Sequence, residues 1–137
     1  MKHKNQRGAA AVEFALVLPL LLAIFAGMVE MGVLIYNQQV LTNASREGAR
    51  AGIVQDPTIN VDTIVQNYCD KHLFDLKSGN TRTPTVSTTS RGNFQADYTV
   101  SVEYDYEFLL PQFFGFDVDK RLVASTTMKM EDVPASP

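Results

Sequence analysis

Two carboxylates and one Cys–His pair are the side chains whose type and spacing could do chemistry. Glu13 and Glu30 interrupt a long apolar stretch near the N-terminus. An ionised side chain deep in hydrocarbon costs about 3 kcal/mol, so each carboxylate needs a partner or a purpose. Cys69 and His72 stand three residues apart, the spacing of neighbours on one face of a helix. A thiol beside an imidazole can act as a nucleophile with its base.

The Cys–His pair lacks the other parts of a catalytic or metal site. Both residues fall in an apolar stripe of helical spacing, with no third group evident, so we expect Cys69 and His72 to pack in a core. The chain has one cysteine, which excludes an intrachain disulfide. A glycine-rich phosphate loop, a metal-type cluster and a nucleophile elbow are missing from the sequence. We therefore expect no enzymatic activity, no catalytic residues, no cofactor and no metal.

The N-terminal charges point to a leader followed by a membrane span. Residues 1–8 carry three of the twelve basic side chains and none of the fifteen acidic ones, so the net charge of −3 would become −6 without them. An acidic chain is a poor candidate for nucleic-acid binding. Residues 14–29 are uncharged, and the apolar stretch resumes after Glu30 through Tyr36. Twenty-three helical residues reach about 35 Å, enough to cross a hydrocarbon core of about 30 Å.

The flanking residues set the type and orientation of the span. A cleaved secretory signal has a shorter apolar core with a small-residue site after it, whereas here the apolar stretch continues. The basic leader predicts a cytoplasmic N-terminus, with the remainder outside. Pro19 removes one helical hydrogen bond, so we expect a kink or local unwinding, either as a tolerated membrane proline or as a hinge. Gly27 and Gly32 flank Glu30, which could bond across a close helix contact or be solvated by snorkelling or water.

Past the span, the helix is predicted to continue as an amphipathic rod up to Gly52. Val40, Leu41 and Ala44 follow helical spacing. Three segments result: a leader (residues 1–8), a membrane helix with its extension (9–52) and an extracytoplasmic head (53–137). We expect the head to fold without its anchor, unless residues 37–52 supply one wall of its core.

Several separated motifs lie within residues 7–52. They are Arg7-Gly8, Val12-Glu13-Phe14-Ala15-Leu16, Pro19, Leu21-Leu22, Gly27, Glu30, Gly32 and Ala44-Ser45-Arg46-Glu47-Gly48-Ala49-Arg50. Together they resemble the TadE-like family of minor pilins or pseudopilins, from the tight-adherence (Flp-type) branch of type IV pilus systems, and the last motif is the most specific. A basic leader that ends at a glycine, with a glutamate at the fifth following position, resembles what a prepilin offers its peptidase.

The resemblance implies cleavage between Gly8 and Ala9 by a prepilin peptidase, residence in the bacterial inner membrane and participation in pilus assembly. Glu13 and Phe14 would serve processing and assembly. Cleavage creates an α-amino group on Ala9, which could pair with Glu13 of a neighbouring subunit and set register. Loss of one partner of such a buried pair costs about 3–5 kcal/mol. The alternative is that Glu13 sits among cytoplasmic headgroups and only marks the cleavage site.

The head is predicted to be one helix followed by strands. Asn60 can cap a helix that ends by Ser78-Gly79, with an apolar stripe. Residues 83–89 form a threonine-rich strand before turn residues 90–93, and residues 94–108 alternate between an aromatic face and an acidic one. Residues 121–130 form another strand. The stripe of the helix contains Val61, Ile64, Val65, Tyr68, Cys69, His72, Leu73 and Leu76.

The fold class expected is therefore α+β: a long N-terminal transmembrane helix that extends into a small pilin-like head, with one further helix packed on the apolar face of an antiparallel sheet of three strands. The connection over residues 109–116, which contains Phe113 and Phe114, is unusually apolar. We expect it to cover the end of the sheet, the alternative being that it presents phenylalanines to a partner or the membrane surface. Residues 133–137 are expected to be disordered.

The function expected is that of a minor pilin or pseudopilin, whose partners are a prepilin peptidase, other pilins, the assembly platform and the lipid bilayer. The head is larger than in the major subunits of the resembled filaments. A membrane-anchored periplasmic binding module, which would use the acidic strand face or the phenylalanine connection, is the alternative. A small envelope hydrolase is a poorer one, because no site is evident.

Overall fold

The computed structural model describes residues 4–54, 58–76, 83–91 and 97–130. The elements in chain order are α1 (Lys4–Gly52), α2 (Val61–His72), β1 (Thr85–Arg91), β2 (Asp97–Glu107), α3 (Leu109–Phe113) and β3 (Asp119–Lys129). The three strands form one antiparallel sheet in the order β1-β2-β3. The α+β prediction is confirmed, with α3 as an additional short helix.

Helix α1 dominates the molecule. It has 49 residues, which corresponds to a length of about 70 Å. The helix is continuous through Pro19, so local unwinding does not occur there, and the kink stays a prediction. Its predicted end at Gly52 is confirmed.

Helix α2 begins where the sequence predicts and ends early. The Asn60 side chain accepts a hydrogen bond from the Thr63 amide at 3.2 Å, which caps the first turn. The helix stops at His72, before the predicted Leu76, and Leu73 is already extended. The cause lies on α1, where Asn37 bonds both the N–H and the C=O of Phe74. The predicted stop at residues 78–79 lies outside the described residues.

The sheet follows the predicted alternation. Along β2 the buried residues are Val100, Val102, Tyr104 and Tyr106, and their neighbours are partly exposed. The first strand extends to Arg91, so residues 90–91, predicted as part of a turn, belong to the strand. Residues 92–96 of the predicted turn and second strand lie outside the described residues, as do residues 133–137. Strand β3 begins two residues earlier than predicted and ends one earlier.

The core lies between α1 and the sheet. Leu41, Ala44 and Ala49 of α1 are fully buried in one cluster with residues of β2, β3 and α2. The Ser45 hydroxyl lies 2.7 Å from that of Thr126 on β3, so α1 lies directly on the sheet. The expectation that α2 covers the apolar face is wrong in this respect: α1 covers β2 and β3, and α2 packs on α1 and beside β1. Small residues on α1 allow this close approach.

The connection between β2 and β3 does not cover the sheet. After α3 the chain turns at Gly115, whose φ of +82° favours glycine. The Phe108 amide donates to the Val118 carbonyl at 3.1 Å and closes the base of the loop. Phe113 is 88% exposed, and Phe114 and Phe116 are also exposed. The covering role expected for residues 109–116 is wrong, because the turn directs these rings outward.

Candidate functional site

The membrane-facing candidate is the N-terminal part of α1. Gly8, Ala9, Glu13 and Phe14 are all exposed. Within the described residues, one helical stretch, Gly8–Gly52, is long and apolar enough to cross a membrane. The most apolar part of this stretch is not buried against the head. The cleavage and assembly residues predicted from the sequence thus lie together on an exposed helix.

The helix-packing candidates leave open surface on α1. A Cβ atom added to Gly27 or Gly32 would meet no heavy atom within 4 Å in the described part of the chain, neighbouring helix backbone aside. Pro19 is exposed. Small residues of this kind permit the close approach of a second helix. Among the described residues, the structure therefore shows no side-chain packing that would require glycine at positions 27 and 32.

Glu30 contacts the head of its own chain, whereas the sequence suggested a contact with another helix or solvation. It is 4% exposed, and its carboxylate accepts hydrogen bonds from the backbone amides of Leu109 and Leu110, the first residues of α3. The bond from Leu109 to Oε1 is the shorter; the Leu110 amide lies 3.2 Å from Oε1 and 3.3 Å from Oε2. An anion at a helix N-terminus satisfies orphan amides. Glu30 thus fastens the head to the top of the apolar stretch.

Tyr106 lies in the electrostatic field of Glu30. Its side chain is fully buried, and its hydroxyl has no hydrogen-bond partner among the described residues. Burial, followed by the negative charge of Glu30, raises the pKa of Tyr106 from 10.0 to about 12. The hydroxyl is therefore a neutral group held in the core without compensation.

Two further buried polar residues extend the same junction and were missed from the sequence. The Asn37 amide donates to the Phe74 carbonyl at 2.7 Å and accepts from the Phe74 amide at 3.0 Å. Ser45 bonds the Thr42 carbonyl and Thr126. Glu30, Asn37 and Ser45 are seven and eight residues apart, so they share one face of α1. The signal available in the sequence was the recurrence of a polar residue, at intervals of seven and eight residues, within the apolar stripe of α1.

The motif of residues 46–50 divides into a buried and an exposed part. Gly48 and Ala49 are buried, whereas Arg46, Glu47 and Arg50 are exposed. A Cβ on Gly48 would lie 2.5 Å from Cγ2 of Val65 and 3.2 Å from Cγ1 of Val100, so glycine is required where α1, α2 and β2 meet. The glycine and alanine of the motif have a structural reason. The charged residues are available at the surface.

The Cys–His pair is divided between the core and the surface. Burial, followed by the charge of Asp70, raises the pKa of Cys69 to about 11, so the thiol stays protonated. His72 is exposed, and its predicted burial is wrong because it lies in the last turn of α2. Its Nδ1 lies 2.8 Å from the Tyr68 carbonyl, and its ring stacks on that of Tyr68. No group of three or more metal-type ligands occurs within the described ranges.

The acidic face of the sheet is partly neutralised. Arg121 on β3 donates to Asp105 at 3.0 Å and lies 3.7 Å from Glu103, both on β2. These groups are exposed, so the pairs contribute little to stability. They nevertheless reduce the negative charge that a cationic ligand of this face would meet.

A single long apolar helix with a small α+β head is compatible with a single-pass membrane protein. The family model described as TadE-like protein matches residues 8–50, which lie wholly within α1, and confirms the resemblance seen in the sequence. The match associates the chain with the machinery of tight-adherence pili. No curated protein and no solved structure gives a match to the chain.

Proposed function

We propose that this chain is a minor pilin or pseudopilin that takes part in tight-adherence pilus assembly. In this proposal α1 crosses the bacterial inner membrane, with the leader in the cytoplasm and the head outside. The role is structural, without catalysis or a cofactor. The observation that carries the proposal is the division of α1: none of residues 12–29 is buried, while the head is built on residues 30–52. The exposed apolar part offers a surface for lateral packing with other pilins in the assembly platform.

Processing by a prepilin peptidase is the first part of the proposal. Gly8 and Ala9 are exposed, and a Cβ on Gly8 would meet nothing within 4 Å among the described residues. A bulky residue there would leave the fold intact while filling the space that a peptidase needs beside the scissile bond. Intact mass spectrometry should show a mature wild-type chain that begins at Ala9, and an uncleaved Gly8→Phe variant.

The matched control is Gly27→Phe, which places the same side chain at another open glycine. It should be cleaved normally. A wild-type chain that retains residues 1–8 in the presence of its peptidase would contradict the pilin assignment. It would favour a membrane-anchored binding module, since a simple anchor has no need to lose its leader.

The role of Glu13 in assembly is the second part. After cleavage, the α-amino group of Ala9 in one subunit would pair with Glu13 of a neighbour, in a bundle from which water is largely excluded. Glu13→Gln keeps the shape of the side chain and removes its charge, so insertion should be no worse. Loss of the charge would leave the amino group unpartnered. We expect normal abundance and leader removal, with loss of pilus assembly or of crosslinking to partner pilins.

Asp62→Asn is the control, because Asp62 is an exposed carboxylate of the head that lies outside the apolar stretch and outside the motif of residues 46–50. It should assemble like the wild type. Normal piliation of the Glu13→Gln variant, or a defect that traces wholly to uncleaved precursor, would disprove this role of Glu13.

A further inference from the structure

The phenylalanine segment, defined as residues 109–116, is an exposed apolar surface of the head. Leu109 and Phe114 are exposed, and Phe113 has the highest exposure of any large apolar side chain described. Phe113 and Phe114 pack edge to face with ring centroids 5.9 Å apart. The segment is a closed loop, because the amides of Phe114 and Phe116 donate to the Pro111 carbonyl at 3.0 Å. It is thus an ordered surface and not a frayed connection.

Glu30 fixes the height of the phenylalanine segment along α1. Its carboxylate bonds the first two amides of the segment, which cannot move along the helix without losing both. On the N-terminal side of this contact, a cavity of about 370 Å³ lies between the segment and α1. Phe113 lines it together with Phe25 and Val29. Phe25 lies more than one turn before Glu30, so Phe113 points back toward the apolar stretch.

The length of the apolar stretch places Glu30 at the outer edge of a bilayer. A helix needs about 20 residues to cross the hydrocarbon core. Twenty residues counted from Ala9 end at Met28, and twenty counted from Phe14 end at Val33. Glu30 falls between these limits. Residues that reach back from Glu30 toward Phe25 are therefore at the depth of the outer acyl chains.

We propose that the phenylalanine segment inserts into the outer half of the bilayer beside α1, where its rings contact lipid acyl chains. The proposal rests on the membrane-spanning α1 of the proposed function. Its occupant is lipid because the segment continues the exposed apolar surface of α1 at the same depth. Exposed Asp117 and Asp119 follow directly and mark the return to water. The head would thus touch the membrane at two points, α1 and this segment, and extraction into a filament would have to withdraw both.

The test uses the absence of tryptophan from the sequence. Three full-length variants, Phe25→Trp, Phe113→Trp and Val54→Trp, each place one fluorophore at an exposed apolar position. Each is reconstituted in phosphatidylcholine vesicles with or without bromine on the acyl chains, which quenches tryptophan by contact. Phe25→Trp reports on the span itself. Val54→Trp reports on the far end of α1, about 36 Å beyond Glu30.

We expect strong quenching of Phe25→Trp, at least half as much quenching of Phe113→Trp, and none of Val54→Trp. Quenching of Phe25→Trp together with a Phe113→Trp signal like that of Val54→Trp would overturn the lipid contact and leave the membrane span standing. Absence of quenching in all three would overturn both. The fluorophore of Phe113→Trp could instead be shielded from water by another protein molecule, and that shielding would disappear when the protein is diluted in lipid. This result would show contact with a second copy and would also overturn the proposal.

Discussion

The two ends of α1 are built from different residues and meet different surroundings. Residues 12–29 are mostly large and apolar, and none of them is buried. Residues 40–52 are smaller, and one face of them is buried in the head, with Ala44, Ser45 and Ala49 at zero exposure. Large side chains suit lipid and lateral helix contacts, whereas small ones let a sheet approach closely. Side-chain size therefore helps one continuous helix to fit two different surroundings.

The polar residues of α1 sharpen the contrast. Glu13, in the exposed part, has no place in the head, whereas Glu30, Asn37 and Ser45 each bond a different part of it. A buried polar group is tolerated when its hydrogen bonds are satisfied. The difference predicts that changes at the buried positions of residues 30–52 affect the folding of the head, and that changes in residues 9–29 affect association. Four experiments test the head side of this comparison.

Removal of the upper part of α1 should have the largest effect. A fragment of residues 37–137 keeps the helix wall of the core, and a fragment of residues 53–137 loses it. The lost wall includes Val40 and Leu41, which are almost fully buried, and each such side chain contributes about 1.5–3 kcal/mol. The total approaches the stability of a small domain. We expect cooperative thermal unfolding of the longer fragment alone; equal melting of both would show that α1 does not stabilise the head.

Substitution of Gly48 should come next. In Gly48→Val the new side chain would collide with Val65 and Val100, and overpacking of this kind costs about 3 kcal/mol. Gly32→Val is the control on the same helix, at a position with open space, and should change stability by less than about 0.5 kcal/mol. The measurement is thermal unfolding in detergent, followed by near-ultraviolet circular dichroism of the buried tyrosines. Equal stability of the two variants would contradict the close packing described.

Asn37→Ala should have an intermediate effect. It leaves the N–H and C=O of Phe74 without their partners, at a cost of about 1–3 kcal/mol. We also expect the Phe74 amide to exchange its hydrogen faster than in the wild type. Asn43→Ala, an exposed asparagine of the same helix, should leave both stability and exchange unchanged. Unchanged exchange at Phe74 in Asn37→Ala would count against the junction.

Tyr106→Phe should have the smallest effect at neutral pH, because it removes a hydroxyl that has no hydrogen-bond partner in the described part of the chain. Its effect grows with pH. The phenol ionises at pH 10 in the unfolded chain but only at about 12 in the fold, so the stability it contributes is complete below pH 10 and is lost as pH rises toward 12. The variant should unfold within about 0.5 kcal/mol of wild type at pH 7 and be more stable than wild type at pH 11. Identical pH profiles would contradict the burial of this hydroxyl.

The local patterns predicted much of the fold because they depend on neighbours in sequence. The alternation of β2, the Asn60 cap and the end of α1 at Gly52 are of this kind. The partners of Glu30 and Asn37 lie 79 and 37 residues away, and periodicity carries no information on such pairs. The early end of α2, and with it the exposure of His72, follows from one of these distant bonds.

The sequence left open that residues 37–52 form one wall of the core, but it did not place α1 over the sheet, for a related reason. Its contact face contains Ala44, Ser45 and Gly48, whose small side chains make the apolar stripe of this part of α1 weaker than that of α2. Hydrophobic patterning therefore favoured α2, whose stripe has larger residues. The exposed phenylalanine segment was misjudged because an apolar sequence does not reveal whether its turn points inward or outward.

Because α1 is continuous, the head has a fixed rotational orientation about the helix axis. Glu13 precedes Glu30 by 17 residues, and at about 100° per residue the two side chains point about 100° apart around the helix axis. The bonds at Glu30, Asn37 and Ser45 prevent the head from swivelling about that axis. Every subunit would therefore carry its head at the same angle to Glu13. In an array of the kind that the proposed function implies, the packing of the apolar spans would therefore also set the direction in which each head faces.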